Sequence, residues 1–374
     1  MAKLGDIATY INGYAFKPQD WSDEGILIIR IQDLTGNSYQ ANRYNGEYAS
    51  KYEVNDGDVL ISWSASLGVY VWHGEKAVLN QHIFKVVFDK ERISKDFFVH
   101  QVGLILENAA SDAHGATMKH LTKPVFDALP FYLPPYEKQC EIAGILDKVT
   151  SLISLRKQQL DKLDELVKAR FVEMFGTFPA NPFRWSIGKI QDVVSDVRYG
   201  SSRPAVEGGK YPYLRMNNIT YSGELDLRDT KRIDIPDSEL DKCTVRRGDV
   251  LFNRTNSKEL VGKTCVYNRD ELMVLAGFVI RVRVNERIRS EVLSAFLNMD
   301  FSKRMLIGMC KTAIGQANIN AKELQNIDLY IPPIELQDQF VTLKNKIDQQ
   351  KQTVQQSLDK LELLKKALMQ EYFG

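Results

Sequence analysis

The sequence predicts an α+β fold built twice: two similar globular halves, each followed by a long helix, with the two helices paired as a coiled coil. Three observations lead there. Residues 133–176, LPPYEKQCEIAGILDKVTSLISLRKQQLDKLDELVKARFVEMFG, are matched without a gap by residues 331–374, IPPIELQDQFVTLKNKIDQQKQTVQQSLDKLELLKKALMQEYFG. Pro134-Pro135 aligns with Pro332-Pro333, Gln139 with Gln337, and Phe175-Gly176 with Phe373-Gly374, and such self-similarity fixes how many units the fold contains. Between its proline pair and its final Gly, each copy is rich in Leu, Lys, Glu, Gln and Asp and carries no Gly or Pro except Gly144. Upstream of each copy lie short Ile, Val and Phe runs bounded by Gly, Asn and Asp, the pattern of strands.

In the first half the runs are Ile26 to Ile31, Asp58 to Trp63 and His82 to Phe88; their counterparts are Tyr213 to Met216, Asp249 to Arg254 and Gly277 to Val284. The last of these contains FVIRVRV, whose apolar and basic alternation predicts a half-buried strand. Apolar spacing predicts a helix after each set, over Lys95 to Ala110 and over Ser290 to Met309. Leu4-Gly5-Asp6-Ile7 resembles Ile187-Gly188-Lys189-Ile190, Arg30-Ile31-Gln32-Asp33-Leu34 resembles Arg215-Met216-Asn217-Asn218-Ile219, and Gly57-Asp58-Val59-Leu60 recurs as Gly248-Asp249-Val250-Leu251. The unit is therefore a domain plus a helix, with insertions confined to the globular part. The boundaries expected are 1–133, 134–176, 177–330 and 331–374.

Each long helix opens at a proline pair, where a missing N–H costs nothing, and stops at a glycine. About forty residues at 1.5 Å each give roughly 60 Å. Its seam in the first copy is Ile142, Leu146, Val149, Ile153, Leu160, Leu163 and Val167, with Met174 beyond and Arg156 and Arg170 interrupting. In the second it is Phe340, Ile347, Val354, Leu358, Leu361 and Leu368, with Lys344, Lys351 and Lys365 at matched positions. Two independent surface helices would show similar periodicity. Length argues against that, because a 60 Å helix outruns a domain of about 140 residues, whose radius of gyration is near 14 to 15 Å. A partner helix is needed; the other copy is the nearest candidate, and the polar interruptions would help fix its register.

With 374 residues, 44% hydrophobic and 26% charged, the chain has the composition of a soluble protein of two or three domains. It has no apolar run of membrane-spanning length and no signal-peptide pattern at the N-terminus, so a cytoplasmic location and no membrane contact are expected. Cys140, Cys243, Cys265 and Cys310 form no CxxC pair, so neither a zinc site nor a disulfide framework is expected.

Catalytic signatures fail where they are looked for. Leu133-Pro134-Pro135-Tyr136 has the outline of an amino-methyltransferase motif, but leucine cannot accept a hydrogen bond from the amine. Pro236-Asp237, the only Pro-Asp dipeptide, is not followed by the acidic-x-Lys of a metal-dependent nuclease. All five histidines lie in the first half, whereas a duplicated activity needs duplicated residues. No catalytic residue and no metal site is assigned.

Recognition is better supported. Loops after the GDVL strands carry Ser62, Trp63, Ser64 and Ser66 in one half and Asn253, Arg254, Thr255 and Asn256 in the other. Arg suits guanine, Asn suits adenine, and Ser or Thr suits either, although the same residues are also turn-formers. A second polar, Gly-centred pair of loops contributes His114, Thr117, Lys119 and His120, and Lys311, Gln316, Asn318 and Asn320. Tyr14 and Lys17 after Gly13, and Tyr199 and Arg203 beside Gly200, complete the candidates. Charge supports DNA contact only in part: residues 1–133 carry 12 Lys and Arg against 16 Asp and Glu, and 177–330 carry 24 against 19.

Two globular halves closed by helices with the PPxExQ pattern, Pro134 to Gln139 and Pro332 to Gln337, each ending in Phe-Gly, resemble the specificity subunit of type I restriction-modification enzymes. The resemblance implies target-recognition domains that each read one half of a bipartite double-stranded DNA site. It further implies that the helices pair antiparallel as a spacer and dock two methyltransferase subunits, through which restriction and motor subunits join. On that reading the chain is not an enzyme and holds no cofactor; S-adenosylmethionine, ATP and Mg belong to its partners. The competing classes are a self-contained DNA methyltransferase or nuclease, and a coiled-coil adaptor without DNA binding.

Overall fold

The computed structural model describes residues 1–37, 40–112, 122–310 and 317–374. It forms two compact units, one of residues 1–156 with 357–374 and one of residues 157–356. Each holds one globular half with the adjoining portions of both long helices, Tyr136–Phe175 and Ile334–Phe373.

The two globular halves share one topology. In the first, an antiparallel sheet runs Thr9–Asn12, Ile83–Val87, Val59–Ser62, Gly68–Val71, and a second runs Arg43–Tyr44, Ile26–Ile29, Ala77–Leu79, Glu53–Val54 with one parallel pair, Ile26–Ile29 on Ala77–Leu79. The other half repeats both orders, as Val194–Tyr199, Val279–Val284, Val250–Asn253, Thr264–Val266 and as Lys231–Ile233, Tyr211–Leu214, Met273–Leu275, Thr244–Val245. The parallel pair recurs too, Tyr211–Leu214 on Met273–Leu275.

Local chemistry places the ends. Arg30 and Arg215 leave their strands because their N–H groups turn back to Asp33 Oδ2 and Asn218 Oδ1, both at 2.8 Å, starting one helical turn in each half. The strands therefore stop at Ile29 and Leu214 rather than running to Ile31 and Met216. Gly13 and Gly200 cross the neighbouring strand so closely that an added Cβ would lie 2.0 Å from Asn80 O and 2.1 Å from Leu275 O.

Three further expectations are corrected. The helix expected over Ser290 to Met309 is two, Ser290–Asn298 and Asp300–Met309, because Met299 is extended and the Asn298 amide is held by Thr264 O at 2.6 Å. The strand with FVIRVRV is not half-buried: it lies between Val194–Tyr199 and Val250–Asn253, and Arg281 is 1% exposed. Its guanidinium is kept inside by Asp196 Oδ2 at 2.6 Å and by Thr244 O, and Arg283 pairs with the buried Asp249 at 2.8 Å. The repeat also starts three residues out of the expected step. Lys3 N bonds Asp6 Oδ2 as Lys189 N bonds Asp192 Oδ2, and Leu4 N reaches Leu129 O as Ile190 N reaches Ile327 O, so Leu4 corresponds to Ile190.

The long helices begin just after their prolines, whose carbonyls accept the first helical N–H groups, Lys138 and Gln139 on Pro135 and Leu336 and Gln337 on Pro333. Gly176 closes the first helix with φ +81 and a 2.8 Å bond from its N–H to Val172 O. Within the second unit Phe340 packs on Phe171 and Phe175, with ring centroids 5.5 and 5.4 Å apart, while Lys351 bonds Asp164; the partners run in opposite directions. Within the first unit Ile142, Ala143 and Leu146 share a core with Leu368, Met369, Tyr372 and Phe373. The helices thus pair antiparallel.

The glutamine of PPxExQ joins each globular half to its helix. Gln139 is 1% exposed; its Oε1 accepts from Ser94 N at 2.9 Å, and its Nε2 donates to Pro134 O at 2.8 Å. Gln337 is fully buried, accepts from Arg289 N at 2.8 Å, and donates to Pro332 O at 2.8 Å and Arg287 O at 3.0 Å. Ser94 and Arg289 each immediately precede a helix of their globular half, Lys95–Asp112 and Ser290–Asn298. Gln337→Leu removes all three hydrogen bonds of this buried amide, stranding Pro332 O inside, and is expected to destabilise by about 2 to 4 kcal/mol in urea unfolding. Glu335→Gln, two residues away and exposed, should stay within about 0.5 kcal/mol.

Lys303, 9% exposed, donates to Gly262 O at 2.6 Å. Burial, aided by the nearby Lys168 and Lys263, pushes its ammonium from 10.5 down to about 7. Between those values the unfolded chain binds the extra proton, so this group makes stability rise with pH. Between pH 7 and 9 the wild type should therefore gain stability relative to Lys303→Met, by at most about 1.4 kcal/mol per pH unit. Parallel urea titrations of the two proteins check it.

Candidate nucleic-acid interface

In the second unit the two loop sets singled out by the sequence meet. Thr255–Asn256 pairs antiparallel with Ala317–Asn318, Thr255 opposite Asn318, and Thr255 Oγ1 donates to Asn318 Oδ1 at 3.1 Å. Arg254 is fixed from both sides: its N–H donates to Phe278 O at 3.0 Å and its carbonyl accepts from Ile319 N at 2.9 Å. Its guanidinium lies over the Tyr199 ring, 5.0 Å from the centroid, and the Tyr199 hydroxyl accepts from Ala321 N at 2.8 Å. Tyr199, Arg254, Asn256 and Asn318 are thus gathered on one small ladder with exposed or half-buried side chains.

Beside this ladder a recess of about 510 Å³ is bounded by the loop 201–205, by Arg215 to Asn217, by Arg254 and by Ala276 to Phe278. Its arginines differ in charge balance. Arg203 is paired with Glu239 at 2.7 Å and Arg215 with Asp229 at 2.9 Å, whereas among the described residues no carboxylate pairs with Arg254. Tyr213, whose hydroxyl is pushed above its ordinary value by burial, stays a donor and pins the rim through Ser201 O at 3.1 Å and Arg203 O at 3.0 Å. Phe278, 53% exposed, stands at the mouth. A surface with one unneutralised arginine, two amides and exposed rings can hydrogen-bond base edges and pack on sugar or base faces.

Other candidates are held in the fold. Asn253 is fully buried as the last residue of its strand, with Asn253 N on Lys263 O and Gly262 N on Asn253 O. Asn320 caps the helix Ala321–Gln325, its Oδ1 accepting from Lys322 N and Glu323 N at 2.9 Å. In the first unit Ser62 is fully buried and donates to Ser66 O at 2.6 Å, closing the turn that also contains the buried Ser64. Trp63 stands where the repeat puts Arg254; its indole N–H donates to Asn12 Oδ1 at 3.1 Å and its ring stacks 5.7 Å from Phe84.

Tyr14, 45% exposed, meets Phe16 and Tyr52 at 4.9 and 5.6 Å, and Lys17 and Ser66 are exposed. His114, Thr117, Lys119, His120, Lys311 and Gln316 lie outside the described residues. A recess of about 350 Å³ in this unit is lined by Trp21, Gln32, Asn42 and Arg30, the counterpart of Arg215, whose guanidinium lies 5.9 Å from the Trp21 ring centroid. Sequence reasoning missed Arg30, Arg215, Asn217 and Phe278. The signal available is the repetition of the Arg30 and Arg215 segments, whose Ile- and Leu-rich flanks have the pattern of continuing strands.

On the paired helices Ile142, Leu146, Val149, Phe340, Ile347, Val354 and Leu358 are buried, and Ile153, Leu160, Leu163, Val167, Leu361 and Leu368 are half-buried. The seam is consumed by packing. Exposed instead are Leu152, Leu155, Leu363 and Leu364.

The model of a family described as the type I restriction modification DNA specificity domain matches residues 1–165 and again 184–363. The chain is 23% identical to the specificity subunit of the type I restriction enzyme EcoBI of Escherichia coli over 373 residues, covering 90% of this chain and 77% of that one. It is 20% identical to the EcoKI specificity subunit of E. coli strain K12, covering 90% or more of this chain (91%) and 80% of that one. With the MjaVIII specificity subunit of Methanocaldococcus jannaschii it shares 25% identity, covering 99% and 90%. Among solved structures, the S subunit of a type I restriction-modification system from M. genitalium superposes with a TM-score of 0.57 at 13% identity, over 100% of this chain and 95% of that one.

Proposed function

This chain belongs to the type I restriction-modification DNA specificity family, and on that premise we propose that it is the recognition subunit of such a complex, each unit reading one half of a bipartite double-stranded DNA target. The observation that carries the reading is the family's specificity domain matched twice, on two units with the same strand order. Duplication gives two readers. Divergence at the reading loops, Arg254 in one unit against Trp63 in the other, gives them different half-sites.

In this reading Arg254, held against Tyr199 and free of any carboxylate among the described residues, addresses a base edge in the second half-site, with Asn256 and Asn318 beside it. Tyr14 and Lys17 serve the first half-site. The antiparallel helices act as the spacer, and the exposed Leu152, Leu155, Leu363 and Leu364 offer apolar surface to two methyltransferase subunits. Restriction and motor subunits join through those, and S-adenosylmethionine, ATP and Mg are bound by the partners. The near-neutral charge of the whole chain, +1, fits a protein that shares phosphate contacts with other subunits.

Arg254→Ala and Asn256→Ala should each weaken binding of the methyltransferase complex to cognate DNA by about 1 to 3 kcal/mol per lost bidentate contact, and hardly affect a scrambled second half-site. Equal losses on both DNAs would reduce these residues to phosphate contacts.

A further inference from the structure

We propose that Asp164 and Glu224 close on the buried ammonium of Lys351 as a lock that fixes both the register of the helix pair and the seat of the second globular half upon it, making Lys351 a spacing-determining residue. The inference rests on the reading of the helices as a spacer.

Lys351 is 8% exposed and lies on the buried face of the second long helix, between Ile347 at 3% and Val354 at 6%. Its ammonium donates to Asp164 Oδ1 on the first long helix and to Glu224 Oε1 on the globular half. One charge therefore ties three separate elements. Burial alone would pull this ammonium below its ordinary value, but the two carboxylates outweigh it and hold it above. An ammonium has three donors and no acceptor, so neither carboxylate can be exchanged for a donor without losing the bond.

Glu224 reaches the helices on a rigid arm. Its N–H donates to Thr220 Oγ1 and its carbonyl accepts from Thr220 N, both at 2.9 Å. The preceding Gly223 has φ +84 and fits so closely that an added Cβ would lie 2.6 Å from Asn298 Nδ2 and 2.8 Å from Thr264 O. A cavity of about 470 Å³ opens beside the triad, lined also by Val167, Ser294 and Asn298, so apolar packing is incomplete there. Along that stretch the specific contacts are the triad and the exposed Lys168–Asp300 pair at 3.0 Å, and of these only the triad also joins the second long helix.

Register follows from what a slip would do. Moving the second helix by three or four residues brings Val354 or Ile347 against Asp164 and Glu224, whose side chains are 35% and 49% exposed, and leaves both without their ammonium. A seven-residue slip takes Phe340 off Phe171 and Phe175. The lock is also one-sided: in the 198-residue step of the helix repeat Lys351 corresponds to Ile153, so pairing the first helix with a copy of itself would set Asp164 against an isoleucine. For DNA the tolerance is narrow, since one added base pair moves a half-site by about 3.4 Å and turns it by roughly 35°.

The test uses the full chain in complex with its methyltransferase partner, on targets whose half-sites are separated by the wild-type spacer or by one base pair more or fewer. Wild type and Lys351→Arg should methylate one spacer preferentially. Lys351→Met should lose at least tenfold of that preference while keeping the half-site sequences, and Glu224→Gln, which spares the Lys351–Asp164 bond, should lose part of it. An assembled Lys351→Met complex with unchanged spacer preference overturns the proposal. If Lys351→Met does not assemble, unchanged preference in Glu224→Gln overturns it. A wild-type complex that methylates all spacers alike overturns the spacer reading and the proposal together.

Discussion

The fold depends on two buried primary amides. A glutamine side chain can accept an N–H and donate to carbonyls at once, and Gln139 and Gln337 use both capacities at the junction of globular half and long helix. Each reaches the residue just before a helix of its own half, where backbone donors lack intrahelical partners. A globular half cannot rotate on its long helix without exposing or stranding these buried groups. The paired prolines have a matching role, for the first of each pair supplies the carbonyl that accepts from the amide and the second the carbonyl that accepts from the first helical turn.

That geometry gives the PPxExQ motif a structural meaning, and explains why it is the part of the repeat that survives. The loops have no such constraint. At the same place in the fold one unit carries Trp63, tucked against Phe84 and bonded to Asn12, and the other carries Arg254, displayed on Tyr199. A scaffold that fixes where a reader sits, and leaves open which side chain it presents, is suited to recognising two unrelated half-sites.

Much of the fold was legible because it rests on periodicity and repetition. The tandem copies exposed the two long helices, the need of each for a partner, and three matched strand runs in each half; the antiparallel sense came with the family resemblance. What stayed hidden were features set by tertiary pairing. Arg281 reads as the solvent face of a strand, and it is Asp196, Thr244 and Asp241, distant in sequence, that keep it inside. The helix break at Met299 depends on Asn298 meeting Thr264, and the strand ends at Ile29 and Leu214 on an Asp and an Asn three residues past the turning arginine. At the candidate interface, residue type alone could not separate Arg254, which is displayed, from Asn253, which is buried one position earlier, because a strand alternates faces and a central strand buries both. Arg215 and Phe278 went unseen since the recess they border is assembled from four separate segments.

Two readers on one clamp make a definite prediction about the mark left on DNA. The most direct measurement is co-expression of the chain with a methyltransferase subunit from the same genome, followed by single-molecule sequencing of the host DNA for methylated adenine. A motif in two specified parts separated by a fixed run of unspecified bases is the expected result. A stable complex that leaves no mark, or one that marks a single contiguous sequence, would contradict a division of recognition between the two units.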